Sequence, residues 1–210
     1  GVFGSQAKET GIPSEVWRYY LLSIRPENGD TDFFWDKFAE KANSELQNNL
    51  GNLCHRVFSF VNSKYDHVIP SYISNEGKNL LKEEDYDHIG KVKELFNSYI
   101  SSMEKIRIKE GLEYVMKIAS EGNVYLNKLE PWKVYKEDKE RCGAIQFILL
   151  STIRLIGLLS EPFIPSFSAK VYEILNIQYG TVESKLLSIV SNNFNEEYLK
   201  LLVPKGKINE

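Results

Sequence analysis

The stretch DKERCGAIQFILLSTIRLIGLLS, residues 138–160, decides the fold. It opens on a run of charge and then turns apolar on nearly every side. Gln146 and Arg154 are the interruptions of its most apolar window, residues 142–159. A surface helix keeps a single apolar stripe, whereas one that is apolar all round must be enclosed. The two interruptions favour enclosure by protein over lipid, because a membrane span runs about 20 residues with few or no charges. The segment is predicted to be the central helix of a bundle, ended by Pro162 and Pro165.

Moving outward, the rest of the chain supplies helices to surround it. Downstream, a shorter helix is expected over residues 166–176 and a weaker one over 182–190, before a polar tail ending Lys205-Gly206-Lys207. Upstream, residues 123–130 read as a helical segment stopped by Pro131, and residues 87–120 as one long helix. Its inner side takes Val92, Leu95, Phe96, Tyr99, Met103, Ile106 and Ile108. Residues 67–84 are irregular, punctuated by Pro70 and Gly77. A further long helix is expected over residues 33–62. Trp35, Phe38, Ala42, Leu46, Leu50, Leu53, Val57 and Phe60 recur along it by threes and fours. The first helix starts at Pro13-Ser14 and ends near Arg25-Pro26, after an extended start at residues 1–4. The fold class is all-α: a helical bundle with a short N-terminal connector.

Composition agrees with one domain and a substantial core, since 42% of the 210 residues are apolar and 12% aromatic. A net charge of −3 excludes a coat of general positive charge for nucleic acid, but not a local basic patch. Cys54 and Cys142 are too few for a zinc cluster and fall in apolar helical patterns, so buried free thiols are expected and no metal site. No signal peptide is visible, so a cytoplasmic location without a membrane partner is the expectation.

Catalytic signatures are missing: there is no Gly-rich phosphate loop after a strand, no GxSxG, no HExxH and no Ser/His/Asp grouping. No catalytic residue is predicted. Asp87-His88-Ile89-Gly90-Lys91 mimics a phosphate-holding HIGH motif, yet it follows Lys82-Glu83-Glu84-Asp85 with no apolar strand before it. It reads as the first turn of a helix, and Glu83-Glu84 as the solvated face of a charged loop.

Two clusters carry more. Asn43, Asn48, Asn49 and Asn52 crowd a helix that their side chains disfavour, and Asn52 lies one turn from Arg56. An amide beside a guanidinium offers donors and acceptors suited to exposed base edges. Taken alone, the same asparagines read more readily as bridges to neighbouring helices, with Arg56 paired to a carboxylate. In Glu130-Pro131-Trp132-Lys133-Val134-Tyr135-Lys136, proline fixes the approach of an indole set among lysines. Trp132 there could stack on an unpaired base or plug a helix joint.

Three segments together resemble the methionyl-tRNA synthetases, in the wording of their eukaryotic and archaeal branch. They are Gly1-Val2-Phe3-Gly4 through Thr10-Gly11-Ile12-Pro13 and Val16-Trp17-Arg18-Tyr19-Tyr20 to Asp32-Phe33, then Asn43 to Asn52 closing on Arg56, then Leu129-Glu130-Pro131-Trp132. The resemblance implies a chain that begins just past the KMSKS loop of a longer enzyme. Residues 1–34 would be a stem-contact connector, 35–203 the anticodon-binding helical bundle and 204–210 a polar tail. It also implies anticodon contacts from Asn52, Arg56, Trp132 and Pro131, with Lys64, Lys133 and Lys136 at phosphates. The partners implied are the CAU anticodon loop of tRNA(Met) and the catalytic domain of the same chain. ATP and Mg belong to that parent enzyme, and no cofactor to these residues. Other readings of the bundle are a helical protein-interaction module or the corresponding domain of another class I synthetase.

Overall fold

Helix α8 (Lys139–Ser160) forms where the apolar run places it, with the Asp138 carboxylate accepting the Arg141 backbone N–H at 2.9 Å as its N-cap. Every residue from Arg141 to Ser160 is buried, so the window 142–159 is the centre of the core. The computed structural model describes residues 4–27, 29–177 and 206–209, and among them there is no β-strand. Helix α9 (Pro165–Ile174) begins with proline at its first turn and crosses α8 closely. A Cβ on Gly157 would stand 2.8 Å from Val171 Cγ1, so only glycine admits this approach. The helix expected over 182–190 lies outside the described residues. The tail's described residues return to the bundle: Ile208 is only 3% exposed and its N–H donates to His67 O at 2.8 Å.

One expected helix is two. The segment 87–120 is broken into α5 (Glu83–Glu104) and α6 (Ile108–Leu129), and the piece expected over 123–130 is the last part of α6. The break is a Schellman cap: Ile106 N–H donates to Met103 O at 3.0 Å and Arg107 N–H to Ser102 O at 2.9 Å. Ile106 holds the left-handed position, with φ of +60° and 68% exposure, so it is a tip residue and not an inner one. The position usually belongs to glycine, and an isoleucine there gives periodicity no reason to stop. Conversely, Gly122 ends nothing. It lies inside α6, where a Cβ would meet Leu53 Cδ2 at 2.7 Å, and so lets the neighbouring helix in.

At the N-terminal end, Gly4 opens a helix, α1 (Gly4–Glu9), rather than closing an extended start, and residues 1–3 are outside the described set. Helix α2 (Ser14–Ser23) matches its prediction and buries Tyr19 and Tyr20. The long helix expected over 33–62 is continuous but not uniform. After α3 (Trp35–Lys41) the chain widens into a π-helical segment (Ala42–Gly51) before α4 (Asn52–Tyr65). Asn52 N–H still reaches back five residues to Gln47 O. The wider turns shift the stripe, so Trp35 is exposed while Cys54, Phe58 and Val61 join Leu50, Leu53 and Val57 inside.

Buried polar groups join α5 to α8. Asp85 accepts both Arg141 guanidinium nitrogens, at 2.7 and 2.9 Å, and also the Tyr125 hydroxyl. His88 is stacked on Tyr125 and its Nε2 lies 3.0 Å from Thr152 Oγ1. The HIGH look-alike is thus a packed second turn of α5, and Glu83 and Glu84 belong to that helix's first turn rather than to a loop. Both cysteines are buried and free, and burial pushes the Cys54 thiol up to about 12.

Candidate nucleic-acid interface

The π-helical segment and α4 run alongside α6 and α7 (Pro131–Glu137) in the same direction. Asn52 with Asn123, Arg56 with Asn127 and Lys64 with Tyr135 are each 71 residues apart. That constant offset sets the edge on which the predicted residues meet. Asn49 begins it, donating to Met116 O at 2.9 Å while Asn123 Nδ2 donates to Asn49 O at 3.0 Å. One turn on, Asn52 Nδ2 donates to Asn123 Oδ1 at 3.4 Å, and Arg56 donates to Asn127 Oδ1 at 2.9 Å. Asn49 and Asn52 therefore do bridge to a neighbouring helix. Asn52 itself remains exposed.

Arg56 is not paired with a carboxylate among the described residues. Its guanidinium carbon lies 5.6 Å from the centre of the Trp132 ring. Trp132 takes that place because α6 ends at Leu129, Glu130 turns left-handed with φ of +45°, and Pro131 starts α7. Pro131 is buried, and the Cys142 thiol donates to its carbonyl at 3.3 Å. Trp132 itself stays 41% exposed, so it does not plug the joint. Between α4 and α7 is an open groove of about 510 Å³, lined by Arg56, Phe60, Leu126, Pro131, Trp132 and Gln146. That is room for a nucleobase or a small ligand.

The groove floor holds an unexpected group. Gln146 is 0% exposed, and neither its Oε1 nor its Nε2 has a hydrogen-bond partner among the described residues. A buried unsatisfied amide costs roughly 1–3 kcal/mol.

The lysines are spread along the same edge. Lys64 Nζ lies 5.8 Å and Lys139 Nζ 5.1 Å from the centre of the Tyr135 ring, on an aromatic group that includes Phe60 and Tyr65. Lys133 is held by Glu130 at 2.7 Å, and Lys136 is exposed on α7. The structure brings Arg56, Pro131 and Trp132 into one groove, sets Asn52 one turn above it, and leaves Lys64 two turns beyond Arg56. Three residues of this edge were missed from sequence: Asn123, Asn127 and Gln146. Asn123 and Asn127 repeat the four-residue spacing of Asn52 and Arg56, which is a legible signal only once the two helices are known to be neighbours.

Two family models match the chain. The anticodon binding domain of methionyl tRNA ligase covers residues 75–193, and the class I tRNA synthetases of the methionine type cover residues 1–58. A cytoplasmic methionine–tRNA ligase of Arabidopsis thaliana is 44% identical over 84% of this chain and 22% of its own length. That of Saccharomyces cerevisiae is 34% identical over 100% of this chain and 28% of its own. The methionine–tRNA ligase of Pyrococcus abyssi is 38% identical over 79% and 22%. The chain thus spans about a quarter of the length of the curated relatives it matches. In fold it is similar to Mycobacterium tuberculosis methionyl-tRNA synthetase, solved in complex with methionyl-adenylate. The TM-score is 0.80 at 19% identity, over 98% of this chain and 38% of that one.

Proposed function

The chain belongs to the methionyl-tRNA synthetase family, and from that premise we propose that it is the anticodon-reading end of a methionine–tRNA ligase. The observation that carries the reading is the Arg56–Trp132 pair at the mouth of the groove. An indole exposed on one face and a guanidinium without a carboxylate can take an unpaired base between them. Asn52, one turn away, offers an amide acceptor toward the next base edge, and Pro131 fixes where the indole stands. Lys64 and Lys136, with Lys133 once Glu130 is displaced, meet the loop phosphates. The cognate partner is the CAU anticodon loop of tRNA(Met). Residues 1–34 act as the stem-contact connector, 35–203 as the anticodon-binding bundle and 204–210 as its tail.

In the longer protein, methionine is activated with ATP and Mg and transferred to tRNA in the cytoplasm. The described residues here do not fit that cofactor. His88 is packed against Tyr125 and Thr152 instead of facing phosphates, and no three metal-ligating side chains converge among the described residues. The activation chemistry is assigned to the catalytic domain of the same protein.

The test is selectivity. At physiological salt the chain should bind a CAU anticodon stem-loop more tightly than one with the first anticodon base changed. Equal affinity for both, measured by titration, overturns the reading.

A further inference from the structure

Most buried polar side chains of helix α8 are engaged. Arg141 is on Asp85, Ser151 and Thr152 donate to carbonyls one turn back, Ser160 donates to Gly157 O, and Arg154 lies 3.6 Å from the Tyr172 ring centre. The Gln146 amide has no hydrogen-bond partner at either atom among the described residues. It sits one turn after Cys142, whose thiol meets Pro131 O, so its amide lies beneath the proline–tryptophan junction at the groove floor. An amide kept for packing would be bonded or replaced by an apolar side chain of its size. This one lines the groove that a ligand entering between Arg56 and Trp132 would occupy.

We propose that Gln146 is a further specificity-determining contact, receiving the pairing edge of the base that enters this groove. The inference rests on the anticodon reading above. Cytosine fits the donors and acceptors present: Gln146 Oε1 accepts from the N4 amino group and Nε2 donates to N3. A base between guanidinium and indole needs about 7 Å, twice an ordinary contact distance. The present 5.6 Å from Arg56 to the ring centre means the pair must open slightly, and the partly exposed Trp132 is the side able to turn. Opening it also uncovers the floor.

A double-mutant cycle between protein and RNA tests this. The 210-residue chain, as wild type, Gln146→Leu, Gln146→Met and Trp132→Ala, is titrated with stem-loops carrying cytosine or an abasic site at the first anticodon position. Both Gln146 variants should melt at or above the wild-type temperature. They should bind the cytosine loop about tenfold more weakly and the abasic loop unchanged. Equal loss on the two loops, no loss on either, or unfolding of both variants would overturn the contact and leave Gln146 a structural residue. Trp132→Ala separates the two readings. If it weakens only the cytosine loop while the Gln146 variants do not, the Gln146 contact alone fails. If wild type does not prefer the cytosine loop, or Trp132→Ala is indifferent to the base, the anticodon reading fails and takes the contact with it.

Discussion

Arg56 brings a full charge to the mouth of the groove, held by one amide and one indole. Neither partner is buried deeply enough to make it structural. Arg56→Ala and Trp132→Ala are therefore expected to weaken cognate stem-loop binding by about 1–3 kcal/mol each. Their melting temperatures should move far less than for a core aromatic, whose loss costs about 3–5 kcal/mol. If calorimetry shows folding lost before binding, Trp132 is a packing residue after all. Arg56→Ala should also narrow the gap between cognate and non-cognate loops, since a phosphate contact would weaken both alike. Ile106 is the opposite kind of residue, strained and of no use to the core. Left-handed geometry costs a side chain with Cβ about 1–2 kcal/mol. Ile106→Gly should accordingly raise stability by roughly 1 kcal/mol in denaturant titration; a loss instead would show that the exposed side chain has a packing role.

Among the elements, the π-helical segment has the clearest consequence. It ends where α4 starts, so Asn52 and Arg56 have ordinary α-helical spacing while Asn49 is turned onto α6. One segment thus divides its asparagines between holding a neighbouring helix and facing outward. The α5–α8 contact makes a separate prediction through His88. Burial, with a smaller push from Lys91 against the pull of Asp85, lowers its pKa to about 4 from 6.5. Between those values the unfolded chain takes up a proton that the folded chain refuses. Stability from this group is complete above pH 6.5 and declines as pH falls toward 4, by up to about 3 kcal/mol. Thermal melts from pH 7 to 4 should show the decline, and His88→Asn should flatten it. An unchanged slope in the variant would assign the acid sensitivity elsewhere.

For the whole molecule, parallel packing of α4 against α6 and α7 matters most, because it puts residues 71 positions apart on one edge. The groove lies at the C-terminal end of α6, a helix of 22 residues or about 33 Å, and Arg25 donates to Ile106 O just before the start of that helix. With His88 enclosed and no phosphate loop present, the chain alone is expected to show no methionine-dependent ATP–pyrophosphate exchange. Exchange above a blank by the purified chain would contradict the division of labour proposed above.

Helix existence was legible wherever a local rule was decisive. An apolar surface on all sides of residues 142–159 demands enclosure, Pro131 and Pro162 cannot continue a helix, and Asp138 can cap one. Arg56 and Trp132 could be singled out as candidates for local reasons too, the one because it lies a turn from an asparagine that disfavours its helix, the other because it stands at a proline break. The turn at Ile106 could not be read, because its cap is made by backbone geometry that isoleucine does not advertise. Nor could the π-helical winding, since the same side chains satisfy either period. The partners of Asn52 and Arg56 and the empty amide of Gln146 depend on which helices become neighbours, and periodicity is silent about neighbours. Local sequence determined the helices and where proline ends them; only packing around α8 decided which side chains share the groove, because burial and hydrogen-bond satisfaction are properties of the assembled bundle.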